Sequence, residues 1–160
     1  MKIATWNVNS VRVRLPHIVD WLKTSDCDVL LLQETKTINE TFPSTDFKSI
    51  NYEVAIVGQK SYNGVAVLSK FPIEILETSL PGDKKDSQAR YLEVLIKQKQ
   101  NKIRLSSIYL PNGNPIDTDK FTYKLSWMDR LIRHAKKLVG NEEITVLAGD
   151  YNVIPEEIDV

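Results

Sequence analysis

Four apolar stretches of this chain run into a residue that can do chemistry. Ile3-Ala4-Thr5-Trp6 ends in Asn7, Val29-Leu30-Leu31-Leu32-Gln33 in Glu34, Leu105-Ser106-Ser107-Ile108 in Tyr109, and Ile144-Thr145-Val146-Leu147-Ala148-Gly149 in Asp150. If these strands share one sheet direction, their carboxyl ends gather two carboxylates, an amide and a phenol at one rim. A carboxylate beside a buried strand is costly unless it is paired, hydrogen-bonded or bound to metal. With hard oxygen donors and no thiolate or imidazole close in sequence, the metal such a rim favours is magnesium or manganese, and phosphate chemistry follows. The competing reading is plain: strand ends are often polar because the chain is emerging into solvent.

The elements that must position these residues are legible from periodicity. Lys2 to Val8 alternates like a strand, and Val11 to Thr24 then carries Leu15, Ile18, Val19 and Leu22 on one helical face. Asp28 to Gln33 is a short continuous apolar run, as in a central strand buried on both faces. Thr35 to Asn51 is polar, contains Phe42-Pro43, and reads as a long functional or surface loop with one short helix. Strands follow at Tyr52–Val57, Gly64–Ser69, Ile73–Thr78, Arg90–Ile96 and Ile103–Leu110, separated by turn residues such as Asn63-Gly64 and Pro81-Gly82, and they look like antiparallel pairs. Thr118 to Val139 repeats apolar residues every three or four positions up to Gly140, the pattern of a long helix. A last strand covers Glu143 to Gly149. There is no internal repeat and no linker.

Composition narrows the class. The chain has 160 residues, 42% of them hydrophobic and 26% charged, with six glycines and seven prolines, which excludes collagen-like, low-complexity and disordered chains. One domain of this length removes roughly 70% of its unfolded surface from water. No apolar run approaches the roughly 20 residues of a membrane span, and Asn7 and Asn9 interrupt any signal-peptide core. The expected compartment is the cytoplasm, with no membrane partner. Cys27 is the only cysteine, so an internal disulfide is impossible and the residue is expected to be small, buried packing. Twenty-one basic residues balance twenty-one acidic ones, so a polyanion would have to meet a local patch rather than bulk charge.

Six words occur in order along the chain: Thr5-Trp6-Asn7-Val8-Asn9-Ser10, Leu32-Gln33-Glu34-Thr35-Lys36, Gly58-Gln59-Lys60, Asn63-Gly64-Val65-Ala66, Ile108-Tyr109-Leu110-Pro111-Asn112-Gly113 and Gly149-Asp150-Tyr151-Asn152. Together they resemble the exonuclease III family of abasic-site endonucleases, within the wider endonuclease, exonuclease and phosphatase superfamily. The likeness runs the length of the chain and includes Asn112-Gly113-Asn114-Pro115 and Trp127-Met128-Asp129-Arg130-Leu131. Lys36 directly after Glu34-Thr35, and Pro111-Asn112-Gly113 after Tyr109, favour the DNA-repair branch.

The resemblance implies an α/β fold, a four-layered α-β-β-α sandwich of two packed sheets flanked by helices. It implies a divalent cation, Mg²⁺ or Mn²⁺, bound by Glu34 with Asn7 beside it. Asp150 is then similar to the residue that orients or deprotonates the attacking water, and Asn152 to a neighbour holding a phosphate oxygen. Tyr109 and Asn112 would contact the scissile phosphate. Arg90 and Lys36 would contact DNA phosphates, unless each is simply an exposed cation on a solvated face. Asn9, a neutral residue, stands where some members have a metal-binding acid. The implied activity is Mg²⁺-dependent hydrolysis of double-stranded DNA on the 5′ side of abasic sites, with 3′-to-5′ exonuclease and 3′-phosphatase action on damaged 3′ ends. The rival readings are a superfamily phosphatase acting on a small phosphoester, and a catalytically dead fragment that binds DNA or self-associates. His17 and His134 both fall in helices and read as surface or boundary residues. The family's catalytic histidine and a second functional aspartate have no counterpart here, so residues 1–160 are expected to be the amino-terminal part of an incomplete domain ending at Pro155–Val160, weakly active alone and prone to self-association through truncated sheets.

Overall fold

The structure is a computed structural model and describes residues 1–98, 101–141 and 143–159; Val160, the last residue of the expected terminal segment, lies outside the described residues. Two successive strand–helix–strand units frame it. In the first, β1 (Ile3–Asn7) leads through α1 (Val11–Ser25) to β2 (Val29–Gln33), and in the second β7 (Asn101–Tyr109) leads through α3 (Asp119–Val139) to β8 (Ile144–Asp150). A helical crossover of this kind lets consecutive strands run parallel, and both pairs do, with Asn7 opposite Gln33 and Tyr109 opposite Asp150. Between these units come a turn of 3₁₀ helix at Asn39–Thr41, α2 (Ser44–Ser49), β3 (Glu53–Val57), β4 (Val65–Ser69), β5 (Ile73–Glu77) and β6 (Tyr91–Gln98). The stretch read as a long loop therefore holds two short helical turns, and Phe42 and Phe47 bury its apolar side against α1 and the first sheet.

The strands form two four-stranded sheets, β1-β2-β4-β3 and β5-β6-β7-β8. Neighbours β3/β4, β2/β4, β5/β6 and β6/β7 are antiparallel, as the turn residues suggested. The four chemistry-bearing strand ends are thus shared between the two expected sheets, Asn7 and Glu34 from the first, Tyr109 and Asp150 from the second. Apolar periodicity gives each strand a buried face but does not say against which sheet it is buried.

Strand alternation sorts the core into three layers. Leu30 and Leu32 of β2 and Ala66 and Leu68 of β4 pack on Ile18 and Leu22 of α1 and Phe47 of α2. The opposite faces, Val29, Leu31, Val65 and Val67, meet Leu92, Val94, Ile96 and Leu105 of the second sheet. Tyr91 and Ile108 face outward under Trp127 and Leu131 of α3. Helix, sheet, sheet, helix is the four-layered α/β sandwich expected. Cys27 is fully buried, as anticipated. Among the described residues no helix is long and apolar enough to cross a membrane.

Beneath α3 lies a polar cluster that periodicity did not disclose. Glu93 shares the face of Tyr91 and is 1% exposed. It accepts from the Tyr91 hydroxyl at 2.5 Å, Arg104 Nη1 at 2.6 Å and His134 Nε2 at 2.7 Å. Burial pushes the Glu93 carboxyl up, but the hydrogen bonds from His134, Tyr91 and Arg104 outweigh it and hold the group below its ordinary 4.5. A carboxylate whose folded-state pKa is depressed stabilises the fold fully above the unfolded value and loses that contribution as pH falls through the folded one. Glu93→Gln is therefore expected to cost roughly 3–5 kcal/mol near neutral pH, and the deficit should shrink below the carboxylate range, where wild type loses the same interaction. Urea denaturation of both proteins across that pH range checks it.

Candidate active site

Alternation also explains why the strand-end residues converge. Ile3, Thr5 and Asn7 share one face of β1, and Val29, Leu31 and Gln33 one face of β2; Leu105, Ser107 and Tyr109 do so on β7, as do Val146, Ala148 and Asp150 on β8. Ile3, Val29, Leu31, Leu105, Tyr109, Val146 and Ala148 of these sets all belong to the layer between the sheets, so Asn7, Tyr109 and Asp150 are delivered to the mouth of the sandwich. The β2 set ends instead in Gln33, and Glu34, one residue past that strand, reaches the mouth through a positive φ of 52° rather than by alternation. Just beneath the mouth, buried Gln33 donates to Ser107 Oγ at 3.1 Å and accepts from Thr5 Oγ1 at 3.2 Å, closing the floor with satisfied polar groups.

At the mouth, one amide joins the two carboxylates. Asn7 Nδ2 donates to Glu34 Oε1 at 2.9 Å and to Asp150 Oδ2 at 2.8 Å, linking the two sheets. The Tyr109 hydroxyl donates to Glu34 Oε1 at 2.8 Å, and Lys36 Nζ lies 2.9 Å from Glu34 Oε2. Lys36 also donates to Asn9 Oδ1, so exposed Asn9 holds a cation rather than an open solvent position. Arg90 donates from Nη1 to the Tyr109 carbonyl at 3.2 Å, and its guanidinium sits 4.8 Å above the Tyr109 ring. Both cations are half-buried and tied to the site by these contacts. Asn152 donates its backbone N–H to Asp150 Oδ1 at 2.9 Å, and Asn112 Nδ2 reaches Asn152 Oδ1 at 3.4 Å. All eight expected site residues thus lie in one connected neighbourhood.

Backbone conformation marks the same place. Asn9, Ser10, Glu34, Lys36 and Asn152 all have positive φ, a cost for residues with a Cβ that persists where surroundings over-determine it, commonly at functional sites. Gly149 serves the opposite need. A Cβ there would stand 1.9 Å from the Ile108 carbonyl oxygen, so only glycine lets β8 close on β7 and bring Asp150 level with Tyr109.

The electrostatics separate the protonation states. Burial pushes Glu34 up, but hydrogen bonds from Asn7, Lys36 and Tyr109 prevail and hold it below the ordinary carboxylate value. Burial and the bond to Glu34 push the Tyr109 phenol up to about 12. At neutral pH the site therefore has an anionic Glu34 and a protonated phenol. The residues fit a hard divalent cation: the donors are carboxylate and amide oxygens, and the Lys36 ammonium already rests on two of them. Asn7 turns its nitrogen to the carboxylates while Oδ1 accepts from the Asn9 N–H at 3.1 Å; turning the amide over would bring its oxygen to the same position. Among the described residues no three or more His, Cys, Asp or Glu gather in a group that could hold a metal ion.

Two participants escaped sequence reasoning. Lys124 on α3 donates to the Asn112 carbonyl at 3.0 Å and the Asn152 carbonyl at 2.6 Å, bridging both asparagine loops. Its helical position gave no signal beyond lying off the apolar face. Gln88 accepts from Arg90 Nε at 2.7 Å and orients it. Beside the site a cleft of about 490 Å³ opens between Tyr62, Arg90, Asn112 and Lys120.

Comparison with known proteins bears on the fold and the family. The chain is 27% identical to exodeoxyribonuclease III of Haemophilus influenzae over its whole length, covering 60% of that protein. It superposes on an AP endonuclease from Archaeoglobus fulgidus with TM-score 0.91 and 41% identity, over 100% of this chain and 60% of the other. A 3′-5′ exonuclease from Neisseria meningitidis gives TM-score 0.91 and 34% identity, over 98% and 60%. The chain therefore spans about 60% of the length of the relatives it matches. The profile of the Endonuclease/Exonuclease/phosphatase family matches residues 4–160, and with the two-sheet fold and the carboxylates bridged at its mouth, the chain belongs to that family.

Proposed function

We propose that the mouth built by Asn7, Glu34, Tyr109 and Asp150 hydrolyses phosphodiesters in double-stranded DNA, cutting on the 5′ side of abasic sites and acting on damaged 3′ ends as a 3′-to-5′ exonuclease and 3′-phosphatase. The observation that carries this reading is the pair of carboxylates, one from each sheet, joined through the Asn7 amide and ringed by Lys36, Arg90 and Tyr109. Glu34 and Asn7 would hold a Mg²⁺ or Mn²⁺ ion, which when bound supplies polarisation of a phosphoryl oxygen. Asp150 orients the attacking water and takes its proton. Its Oδ1 is held by the Asn152 N–H, so Asp150 and Asn152 move as a unit. Tyr109, protonated at neutral pH, and Asn112 donate to charge developing on the phosphate. Arg90 and Lys36 hold flanking phosphates, and the protein works as a DNA-repair nuclease in the cytoplasm.

Neither imidazole reaches this mouth: His17 is exposed on α1 and His134 is bonded to Glu93. Residues 1–160 alone should therefore turn over more slowly, by at least roughly 10³-fold, than the chain joined to the carboxyl-terminal segment that the family resemblance implies. Among the described residues β1 and β8 are edge strands, and unpaired strand edges would favour self-association. A Mg²⁺-dependent cleavage assay on an abasic duplex, run on both forms beside light scattering, tests this. Cleavage of a soluble phosphate ester with the duplex left intact would make the protein a small-phosphoester phosphatase instead. No metal-dependent turnover in either form would leave only a DNA-binding or self-associating role.

A further inference from the structure

The segment between β5 and β6, residues 78–90, has no regular secondary structure yet delivers Arg90 to the site. A long side chain on such a loop is placed only if the backbone behind it is tied down. The tie lies on the outer layer. Arg130 of α3 and Asp86 of the loop form an ion pair with side chains only 4% and 8% exposed. The Tyr123 hydroxyl, about two turns earlier on the same face of α3, contacts both Asp86 oxygens at 3.0 and 3.1 Å. Arg130 Nη1 also reaches the carbonyl of Leu80 at 3.4 Å, near the start of the segment.

From that pair a continuous path of hydrogen bonds leads inward. Asp86 Oδ1 accepts the Gln88 N–H at 3.2 Å. Gln88 Oε1 accepts from Arg90 Nε at 2.7 Å and from Asn63 Nδ2 at 3.3 Å. Arg90 in turn lies on the Tyr109 ring, and the Tyr109 hydroxyl is on Glu34. A buried charged pair is a strong clamp because breaking it leaves an unpaired charge out of water, whereas a hydrogen bond on an exposed loop would be exchanged for water at little cost.

We infer that the Arg130–Asp86 pair, with Tyr123, is a positioning device that sets Gln88 and thereby holds Arg90 over Tyr109 at the mouth of the sandwich. Arg130, Asp86 and Tyr123 touch no substrate; they act through Arg90. The effect on DNA rests on the proposed function, in which Arg90 meets a phosphate. The placement of Arg90 does not.

Two measurements separate these. The first is the side-chain Nε–H resonance of Arg90 by ¹⁵N NMR on the 160-residue chain, which reports the Gln88 bond and the Tyr109 ring. Arg130→Met should shift or broaden it while backbone resonances of both sheets stay in place, and Arg130→Lys, which restores the charge, should bring it back. Tyr123→Phe, which removes one hydroxyl and spares the ion pair, should move it in the same direction by less, and stands in if Arg130→Met does not fold. An unchanged Arg90 resonance in these variants overturns the inference. The second is the salt dependence of binding to a short duplex carrying one tetrahydrofuran abasic analogue, measured in EDTA so that no cleavage intrudes. Arg90→Met should lower the slope of log K against log salt by about one, the signature of one lost phosphate contact. Arg130→Met should do the same although its own guanidinium is buried and paired, and the double variant should lose no more than Arg90→Met alone. If the Arg90 resonance moves but neither variant changes the slope, the positioning stands and the phosphate role assigned to Arg90 fails.

Discussion

In the chain joined to the carboxyl-terminal segment, Asp150→Asn should lower the turnover of abasic DNA by roughly 10² to 10⁴, the range for removing a positioned general base, while leaving DNA affinity near that of wild type. The asymmetry follows from when the carboxylate acts. A group that orients water and takes its proton is engaged mainly in the transition state, so its loss appears in kcat and far less in binding. The structure makes the variant interpretable. Asp150 receives Asn7 Nδ2 on one oxygen and the Asn152 N–H on the other, and an asparagine keeps the shape of the group and one of these acceptors. Tyr109→Phe should act in the same sense by roughly 10² to 10³, the cost of one donor to a developing oxyanion, with the added loss of the Glu34 hydrogen bond. Single-turnover cleavage beside equilibrium binding of an uncleavable duplex measures both. Equal losses in rate and affinity would make these residues structural.

The rim was legible because each of four strands read from the sequence runs into a polar residue. Alternation then sets the exit of Asn7, Tyr109 and Asp150, which share the inward face of their strands, whereas Glu34 is out of phase with β2 and joins them only through its positive φ, which no periodicity discloses. Which of the two expected sheets each strand joins was not legible from periodicity, since an apolar face is the same whether it packs on a helix or on another sheet. Charged residues under helices were hidden for a related reason. Glu93 sits in a strand and Arg130 in a helix, where a lone charge within an apolar pattern normally marks the solvent side. Here each is buried because partners arrive from other elements: Arg104 of the adjacent strand and His134 of α3 for Glu93, Asp86 of the β5–β6 segment for Arg130. Such pairing depends on tertiary proximity and leaves no local spacing to detect. Lys36 and Arg90 show the same limit in milder form, for their distinction from solvated cations rests on the acceptors they find across the fold.

In the chain joined to the carboxyl-terminal segment, Glu34→Ala should abolish the recovery of activity by Mg²⁺ or Mn²⁺ after chelation, whereas wild type should lose activity in a chelator and regain it when either ion returns. The expectation rests on Glu34 as the carboxylate held anionic at the mouth and supplied with hard-oxygen neighbours. Its charge is secured by three donors: Asn7, Tyr109 and Lys36. Removing it leaves Lys36 without a counter-charge, which repels a divalent ion from the same spot. Glu34→Gln is the companion variant, nearly isosteric and able to accept from Asn7 and Tyr109, so retained folding with lost metal response would assign the effect to charge. The pH profile supplies an independent check. Because hydrogen bonding holds Glu34 below its ordinary 4.5 despite burial, ion binding should stay level from neutral pH down to that value and fall only below it, as protonation finally removes the ligand charge. Calorimetric titration of Mn²⁺ into wild type and both variants reads this without any cleavage. A wild-type metal response retained in Glu34→Ala would place the cation on other residues.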